Sequence, residues 1–285
     1  MYNPWAHLQR RVSRAAATPE HAQFIWRHWK RRAAIVAAQL IILVAGFLLW
    51  EVAARQGWVD PFLISQPSRI WATILSLHAD GSLYHHLLVT CGETVIGFLL
   101  GTVLGTLVAI VLWWSEFLAR VLDPYLVVLN ALPKIVLGPL FIVWLGTSQV
   151  AIVAIALAIS LVTTIMVVFT GFQEVNRNQI KLVQTFGASR WQVLRKVVFP
   201  ASIPTIISVL KVNVGLSFVG VIVGEFLVSK AGLGFLAIYG GQVLNMNLVM
   251  TSVILLSLAA ALMYQFVAWI EKRYLQAHQD DCEAG

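Results

Sequence analysis

Six stretches of this chain are each apolar over roughly 20 residues or more, and they constrain its fold more than any other feature. They are residues 34–54, 87–113, 122–145, 149–171, 203–228 and 248–270. About 20 apolar residues in a helix cross the roughly 30 Å of hydrocarbon in a bilayer. Because 59% of the 285 residues are hydrophobic and only 12% are charged, one soluble core cannot bury them all. The sequence therefore predicts an all-α integral membrane protein with six transmembrane helices.

The basic residues indicate how these spans are oriented. When the spans alternate with both termini inside, most Lys and Arg fall on the inner side, and only Arg55, Arg69 and Lys230 fall outside. Lys and Arg are enriched in cytoplasmic loops. The sequence therefore predicts a multi-pass protein with both termini and residues 174–202 in the cytoplasm. The basic residues that orient the spans account for the formal net charge of +7, so nucleic-acid binding is not expected.

The chain divides into a cytoplasmic basic leader, a transmembrane domain and a short cytoplasmic tail. These parts are residues 1–33, 34–275 and 276–285. Residues 18–32 of the leader begin with Thr-Pro-Glu, a helix start. They then place four apolar side chains among basic ones, namely Phe24, Ile25, Trp26 and Trp29. We expect an N-terminal interfacial amphipathic helix along the inner leaflet, and a flexible basic tail is the alternative.

Glycines and prolines mark two of the spans. Gly97, Gly101 and Gly105 recur at four-residue spacing in the second span, which predicts close approach of another helix. Pro124, Pro133 and Pro139 interrupt the third span. Each proline removes a backbone donor that lipid cannot replace. We expect this broken helix to lie beside protein or a water-filled path, and a structural kink is the alternative.

Ionisable side chains within the spans are costly and are therefore candidates for a transport route. They are Glu93, Lys134, Lys211 and Glu225. For the two lysines, facing a cavity and pairing with a carboxylate or carbonyl both remain open. The residues that we predict to form a translocation pathway are Pro133, Lys134, Lys211, Asn213, Ser217 and Glu225.

Residues 174–202 form a charged segment between the fourth and fifth spans. Amphipathic runs flank Gly187, a residue that permits a bend which a side chain obstructs. We expect two short helices joined at this bend, docking on a soluble partner, and a simple tether is the alternative. The residues predicted to carry the docking are Lys181, Gln184, Thr185, Phe186, Gly187, Ala188, Ser189, Trp191 and Pro200.

This segment resembles the EAA loop of bacterial ABC importer permeases. The pattern of that loop is Glu-Ala-Ala, three residues, Gly, nine residues, then Ile-x-Leu-Pro. Gly187 and Pro200 hold this spacing, and Val197 and Phe199 stand for the Ile and Leu. The sequence departs at the start, where Lys181-Leu182-Val183 replaces Glu-Ala-Ala, so a contact made by that Glu does not carry over.

Two further stretches resemble the nitrate, sulfonate and taurine branch of these permeases. One stretch, LDPYLVVLNALPKIVLGPLFIVWLG, resembles the third-span signature of that branch. The other stretch, GEFLVSKAGLGFL, resembles its fifth-span exit. The resemblance runs through most of residues 60–275. It implies six transmembrane helices of the type I ABC importer kind with a cytoplasmic coupling-helix loop, in a bacterial plasma (inner) membrane.

The resemblance also implies partners. Family members work as two permease subunits, two cytoplasmic ATPase subunits and an external solute-binding protein. The chain has no GxxxxGK[ST] phosphate loop, so we expect it to bind no cofactor and the partner ATPase to bind ATP and Mg. A homodimer with the route at its interface is the expected assembly.

Two other classes of protein fit the sequence less well. A secondary transporter more often shows internal repeats and an intramembrane proton or sodium relay, and neither is clear here. An intramembrane enzyme needs a constellation such as HExxH, whereas His85 and His86 only mark a membrane edge. We therefore assign no catalytic residue and no metal ligand.

The branch resemblance implies a small anion, such as nitrate, a sulfonate or taurine, as the imported solute. Lys134 and Lys211 would suit an anion. Similar chains serve uptake of pyrimidines or other vitamin precursors, so that substrate class is the alternative.

Overall fold

The computed structural model describes the backbone of residues 19–283 and the side chains of residues 27–273. Within that part of the chain every regular element is a helix, which confirms the prediction of an all-α protein. Among the described residues five helices are long and apolar enough to cross a membrane, and the number is six if one bent pair counts as a single span. The expectations for residues 1–18, and for side chains before residue 27 or after residue 273, lie outside the described residues.

The helices are numbered here in chain order. They are α1 (Pro19–Arg55), α2 (Pro61–Ile64), α3 (Pro67–Ala79), α4 (Ser82–Trp114), α5 (Glu116–Ala131), α6 (Gly138–Leu145), α7 (Gln149–Gln173), α8 (Arg177–Thr185), α9 (Arg190–Val193), α10 (Phe199–Val228), α11 (Leu233–Gln242) and α12 (Met246–Glu283). A 3₁₀ turn, Lys134–Leu137, precedes α6, and a π-helical turn, Leu194–Val198, precedes α10.

Helix α1 joins the expected interfacial segment to the first span without a break. The reason lies in the sequence, because no glycine or further proline occurs between Pro19 and Gly46. The location of its first turns along the inner leaflet stays a prediction.

The chain forms two compact units, one up to Arg69 and the other from Ile70 onward. In the first unit, Glu51 pairs with Arg55 at 2.7 Å and accepts a hydrogen bond from the backbone N–H of Ser68 at 3.0 Å. These contacts link the end of α1 to Ser68 within the first unit.

Helices α4, α7 and α10 form the core of the second unit. The glycine stripe on α4 faces α7, and a Cβ added at Gly105 would lie 2.6 Å from Cβ of Thr164. A Cβ added at Gly220 of α10 would lie 2.5 Å from Cα of Ala156 on α7. The close helix approach predicted from the glycine spacing is therefore confirmed.

The third span is broken, as its prolines predict. Helix α5 ends at Ala131, and the helical segment that begins at Lys134 turns away by 89°. The bend lies at Pro133. Pro139 stands in the first turn of α6, where a missing N–H costs little, and Pro124 stays inside α5.

Candidate coupling site and translocation pathway

The charged segment between the fourth and fifth spans folds into a helix, a tight bend and a second helix. Asn176 caps α8 by accepting a hydrogen bond from the backbone N–H of Asn178 at 2.9 Å. Gly187 has a φ of +80°, in the left-handed region that side chains disfavour. Ser189 and Gln192 form a capping box at the start of α9. The bend expected at Gly187 is therefore present, with local hydrogen bonds on both sides.

Three large apolar side chains project from this segment into solvent. Phe186 is 82% exposed, Leu182 is 58% exposed and Trp191 is 57% exposed. We call this trio the apolar knob. Exposed apolar clusters outside the bilayer mark interaction surfaces, because burying them against a partner is favourable.

The opposite face of the segment is fixed to the membrane helices by a buried core. Val193, Leu194 and Val198 pack with Phe172 of α7 and Ala109 of α4, and all five side chains are almost fully buried. Because this core is closely packed, the segment cannot be displaced without moving side chains of α4 and α7.

Helix α9 runs into α10 through the π-helical turn, so that Arg190–Val228 is one helix of 39 residues. Pro200 explains the wide turn, because its ring crowds the carbonyl four residues earlier and it donates no hydrogen bond. The two short helices expected on either side of Gly187 are therefore α8 and α9, and the second of them is continuous with the fifth span.

The residues predicted to carry docking lie on α8, the bend and α9, except for Pro200. Lys181, Gln184 and Thr185 lie on α8, Phe186, Gly187, Ala188 and Ser189 form the bend, Trp191 lies on α9, and Pro200 lies in the first turn of α10. Their role in coupling stays a prediction.

Lys134 lies at the bend of the broken span, directly after Pro133. Its Nζ donates a hydrogen bond to Oδ1 of Asn130 at 3.2 Å, and Oγ1 of Thr163 donates to the same oxygen at 3.4 Å. Among the described residues no carboxylate forms a salt bridge with this partly exposed ammonium. The arrangement leaves a cation able to pair with an anionic group.

Lys211 is placed differently, because its Nζ forms a salt bridge with Glu271 of α12. Of the two environments that the sequence left open, the structure shows pairing with a carboxylate. The charge of Lys211 is compensated within the chain, and a role for it in the pathway stays a prediction.

Asn213 and Ser217 lie inside the helix packing of the single chain. Both are fully buried, and Nδ2 of Asn213 donates to Oγ1 of Thr164 at 2.6 Å and to Oγ1 of Thr102 at 3.2 Å. The amide therefore links α4, α7 and α10. Contact of these two residues with a solute stays a prediction.

Glu225 is the centre of a buried network, which we call the carboxylate cap. Its Oε1 accepts a hydrogen bond from Oγ1 of Thr90 at 2.6 Å, and its Oε2 accepts one from the backbone N–H of Gly234 at 2.5 Å. Oγ1 of Thr90 in turn accepts from the backbone N–H of Leu233 at 2.7 Å. A carboxylate is well placed here, because the N-terminus of α11 carries partial positive charge. A pathway role for Glu225 stays a prediction.

Sequence reasoning missed the partners of this carboxylate. Thr90, which donates to the carboxylate, carries no distinguishing motif, and neither does His86, whose Nδ1 accepts from the backbone N–H of the neighbouring Gly232 at 3.0 Å. The available signal was the glycine pair after the fifth span. A Cβ at Gly232 would collide with the Glu225 carboxylate, and one at Gly234 would lie 2.7 Å from Oε2.

Known proteins resemble the chain along most of its length. Residues 101–276 match the family model described as binding-protein-dependent transport system inner membrane component. A Bacillus subtilis protein named as the aliphatic sulfonates transport permease SsuC is 26% identical over 80% of this chain and 83% of its own. The taurine transport system permease protein TauC of Escherichia coli is 23% identical over 89% and 93%. The formylaminopyrimidine transport permease protein ThiX of Halalkalibacterium halodurans is 30% identical over 66% and 74%.

Solved structures show the same fold. A chain of a bacterial ABC transporter involved in the import of the acidic polysaccharide alginate aligns with a TM-score of 0.62 at 15% identity, over 87% of this chain and 99% of its own. A chain of an inward-facing methionine ABC transporter aligns with a TM-score of 0.56 at 18% identity, over 67% and 94%. These likenesses confirm the predicted type I importer fold. Because the family model spans more than half of its residues, the chain belongs to the binding-protein-dependent transport system inner membrane components, the permease subunits of ABC importers.

Proposed function

We propose that this permease docks on a separate ATPase through the apolar knob and conducts a solute inward when that ATPase binds and hydrolyses ATP. The observation that carries the proposal is the exposure of Phe186, Leu182 and Trp191 on a rigidly anchored segment. A groove on the partner would remove this surface from water. Burying one such side chain contributes about 1.5–3 kcal/mol.

Continuity of the helix supports transmission of force. Trp191 of the knob lies on α9, which is the first turn of the 39-residue helix that forms the fifth span, and Phe186 lies in the bend just before α9. A movement of the docked ATPase therefore reaches the membrane helices through covalently continuous structure. The buried core beneath α9 prevents the segment from sliding separately.

The proposed assembly contains two copies of this chain, two ATPase subunits and an external solute-binding protein in or beside a bacterial inner membrane. The knob, the leader and the tail face the cytoplasm, as the distribution of basic residues indicates. ATP-driven closure of the ATPases draws the two knobs together and opens the route outward, and hydrolysis resets the inward-facing state.

We propose a small anion as the solute. The uncompensated ammonium of Lys134 at the bend of the broken span supports this class, together with relatives named for sulfonate and taurine transport. A pyrimidine or another vitamin precursor is the second candidate. It is favoured by the relative named for formylaminopyrimidine transport.

Docking is tested with the purified permease, its cognate ATPase and the binding protein in proteoliposomes. We expect Phe186→Ala or Trp191→Ala to raise the Kd for the ATPase by about tenfold or more, because each change removes a buried aromatic anchor. Phe117→Ala is the matched control, since Phe117 is 78% exposed at the start of α5 and lies outside the knob.

Unchanged ATPase affinity in both knob variants would contradict docking through this surface. A proton or sodium gradient that drives uptake without the ATPase would favour the secondary-transporter alternative instead.

Solute class is tested by screening ligands of the binding protein and by replacing Lys134. We expect Lys134→Gln to lower uptake of an anionic solute about tenfold while ATPase docking is retained, because the ammonium is the cation at the bend. Lys230→Gln removes a charge outside the spans and serves as the control. Equal uptake by both variants, or a neutral ligand in the screen, would contradict the anion proposal.

A further inference from the structure

A cleft of about 610 Å³ lies behind the knob, between the ends of α4 and α7 and the segment formed by α8 and α9. Its wall includes Trp113, Trp114, Phe172, Gln173, Arg177 and Arg190. Aromatic rings and guanidinium groups therefore share one concave surface. None of the three knob side chains belongs to this wall.

The charges on the wall favour an anion. Arg190 donates from Nη1 to the backbone carbonyl of Trp114 at 3.2 Å, which positions the guanidinium and leaves its other donors available. Arg177 has no hydrogen bond or ion pair from its side chain within residues 27–273. The carboxylate on the wall is that of Glu116, which is already paired with Arg120 at 2.6 Å.

The cleft lies where membrane helices meet water. Helix α4 ends at Trp114 and α7 ends at Gln173, and charged residues follow at once with Glu116 and Glu174. Tryptophan at the end of a span is typical of the headgroup level of a bilayer. Basic pockets between helices at this level suit the phosphate of a lipid.

We infer that this cleft binds the phosphate of an anionic phospholipid. Arg177 and Arg190 hold the phosphate oxygens from two sides, and Trp113 and Trp114 contact the apolar part of the lipid next to it. The bound lipid links the ends of α4 and α7 to α8 and α9, and so fixes the base of the segment that carries the knob. This inference needs only the membrane location of the chain, not the proposed ATPase contact.

The experiment measures lipid binding to the full-length purified chain by native mass spectrometry, with phosphatidylglycerol and phosphatidylcholine added separately. We expect preferential retention of phosphatidylglycerol. The double variant Arg177→Gln, Arg190→Gln should weaken that binding about 25-fold, at about fivefold per lost basic residue near the membrane surface. The matched control is Arg195→Gln, Lys196→Gln, which removes two exposed charges from the same segment away from the cleft wall.

The double variant Arg177→Lys, Arg190→Lys retains both charges and should bind more lipid than the double Gln variant. Unchanged helicity and elution volume in both variants would show that the weaker lipid binding of the Gln variant does not come from misfolding. An equal loss in the Arg195 and Lys196 control would overturn the inference, because it indicates diffuse surface attraction. Inorganic phosphate at 10 mM, about the level of a phosphate buffer, should not displace the lipid. Displacement would also overturn the inference, because it assigns the cleft to a soluble phosphate.

Discussion

The two ends of the long helix Arg190–Val228 use their side chains in opposite ways. At one end the carboxylate cap satisfies Glu225 with donors from Thr90 and Gly234 of the same chain. At the other end Trp191 is exposed to solvent together with Leu182 and Phe186, the two knob residues that precede the helix. One end is complete within a single chain, and the other is not.

The difference follows from the surroundings of each end. A carboxylate buried among membrane helices must find donors inside the protein, because lipid offers none. Apolar side chains that are exposed in both the folded and the unfolded chain change the free energy of unfolding little. They contribute favourable free energy to binding when a partner covers them. We therefore expect changes at the cap to alter stability and changes at the knob to alter association.

The largest effect should come from Glu225→Ala. The change leaves the hydroxyl of Thr90 and the backbone N–H of Gly234 without their acceptor in a buried site. At about 1–3 kcal/mol for each unsatisfied group, with the loss of buried contacts added, the free energy of unfolding should fall by about 3–5 kcal/mol. Unfolding by SDS in mixed micelles measures it. Glu225→Gln should cost less, and a loss below about 1 kcal/mol for Ala would break the comparison.

A smaller effect is expected from Thr90→Val, which keeps the shape of the side chain but removes the hydroxyl between Glu225 and the N–H of Leu233. The free energy of unfolding should fall by about 1–3 kcal/mol. Thr94→Val is the matched control, because Thr94 is equally buried and only donates to the backbone carbonyl of Thr90 within its own helix. Equal losses in the two variants would show that the hydroxyl of Thr90 has no special role.

The smallest effect on stability should come from Gly187→Val at the knob end. No atom lies within 4 Å of the added Cβ, so the cost comes from the φ of +80° alone, about 1–2 kcal/mol locally. We expect about tenfold weaker ATPase binding, and a free energy of unfolding in SDS that falls by no more than this local cost. Gly187→Asn is the control, since Asn adopts this conformation more readily. A stability loss for Gly187→Val well above about 2 kcal/mol, or one that Gly187→Asn reproduces, would mean that the two ends are not independent.

Local patterns in the sequence were enough to predict much of the fold. Apolar runs located the spans, Pro133 marked the break in the third span, and the spacing of Gly97, Gly101 and Gly105 predicted a close helix contact. Each of these signals acts within a few residues of the chain, so no knowledge of tertiary packing was required. The bend at Gly187 was predictable for the same reason.

The side-chain partners were not predictable, because they depend on which helix faces which. Thr90 and Glu225 are separated by 135 positions and meet only because α4 packs beside α10. The polar side chain of Asn213 within a span suggested a pathway role, yet its amide donates hydrogen bonds to two neighbouring helices of the same chain. Lys134 and Lys211 look alike in sequence, but only Lys211 has a carboxylate partner among the described residues.

The continuity of α9 with α10 makes this helix a lever. From Arg190 to Glu225 it extends about 52 Å at 1.5 Å per residue, so a tilt of about 5° shifts the far end by about 4–5 Å. The N-terminus of α11 is hydrogen-bonded to Glu225 and travels with it. A tilt of this helix about its Arg190 end therefore displaces α11, at the opposite end, sideways by several ångströms.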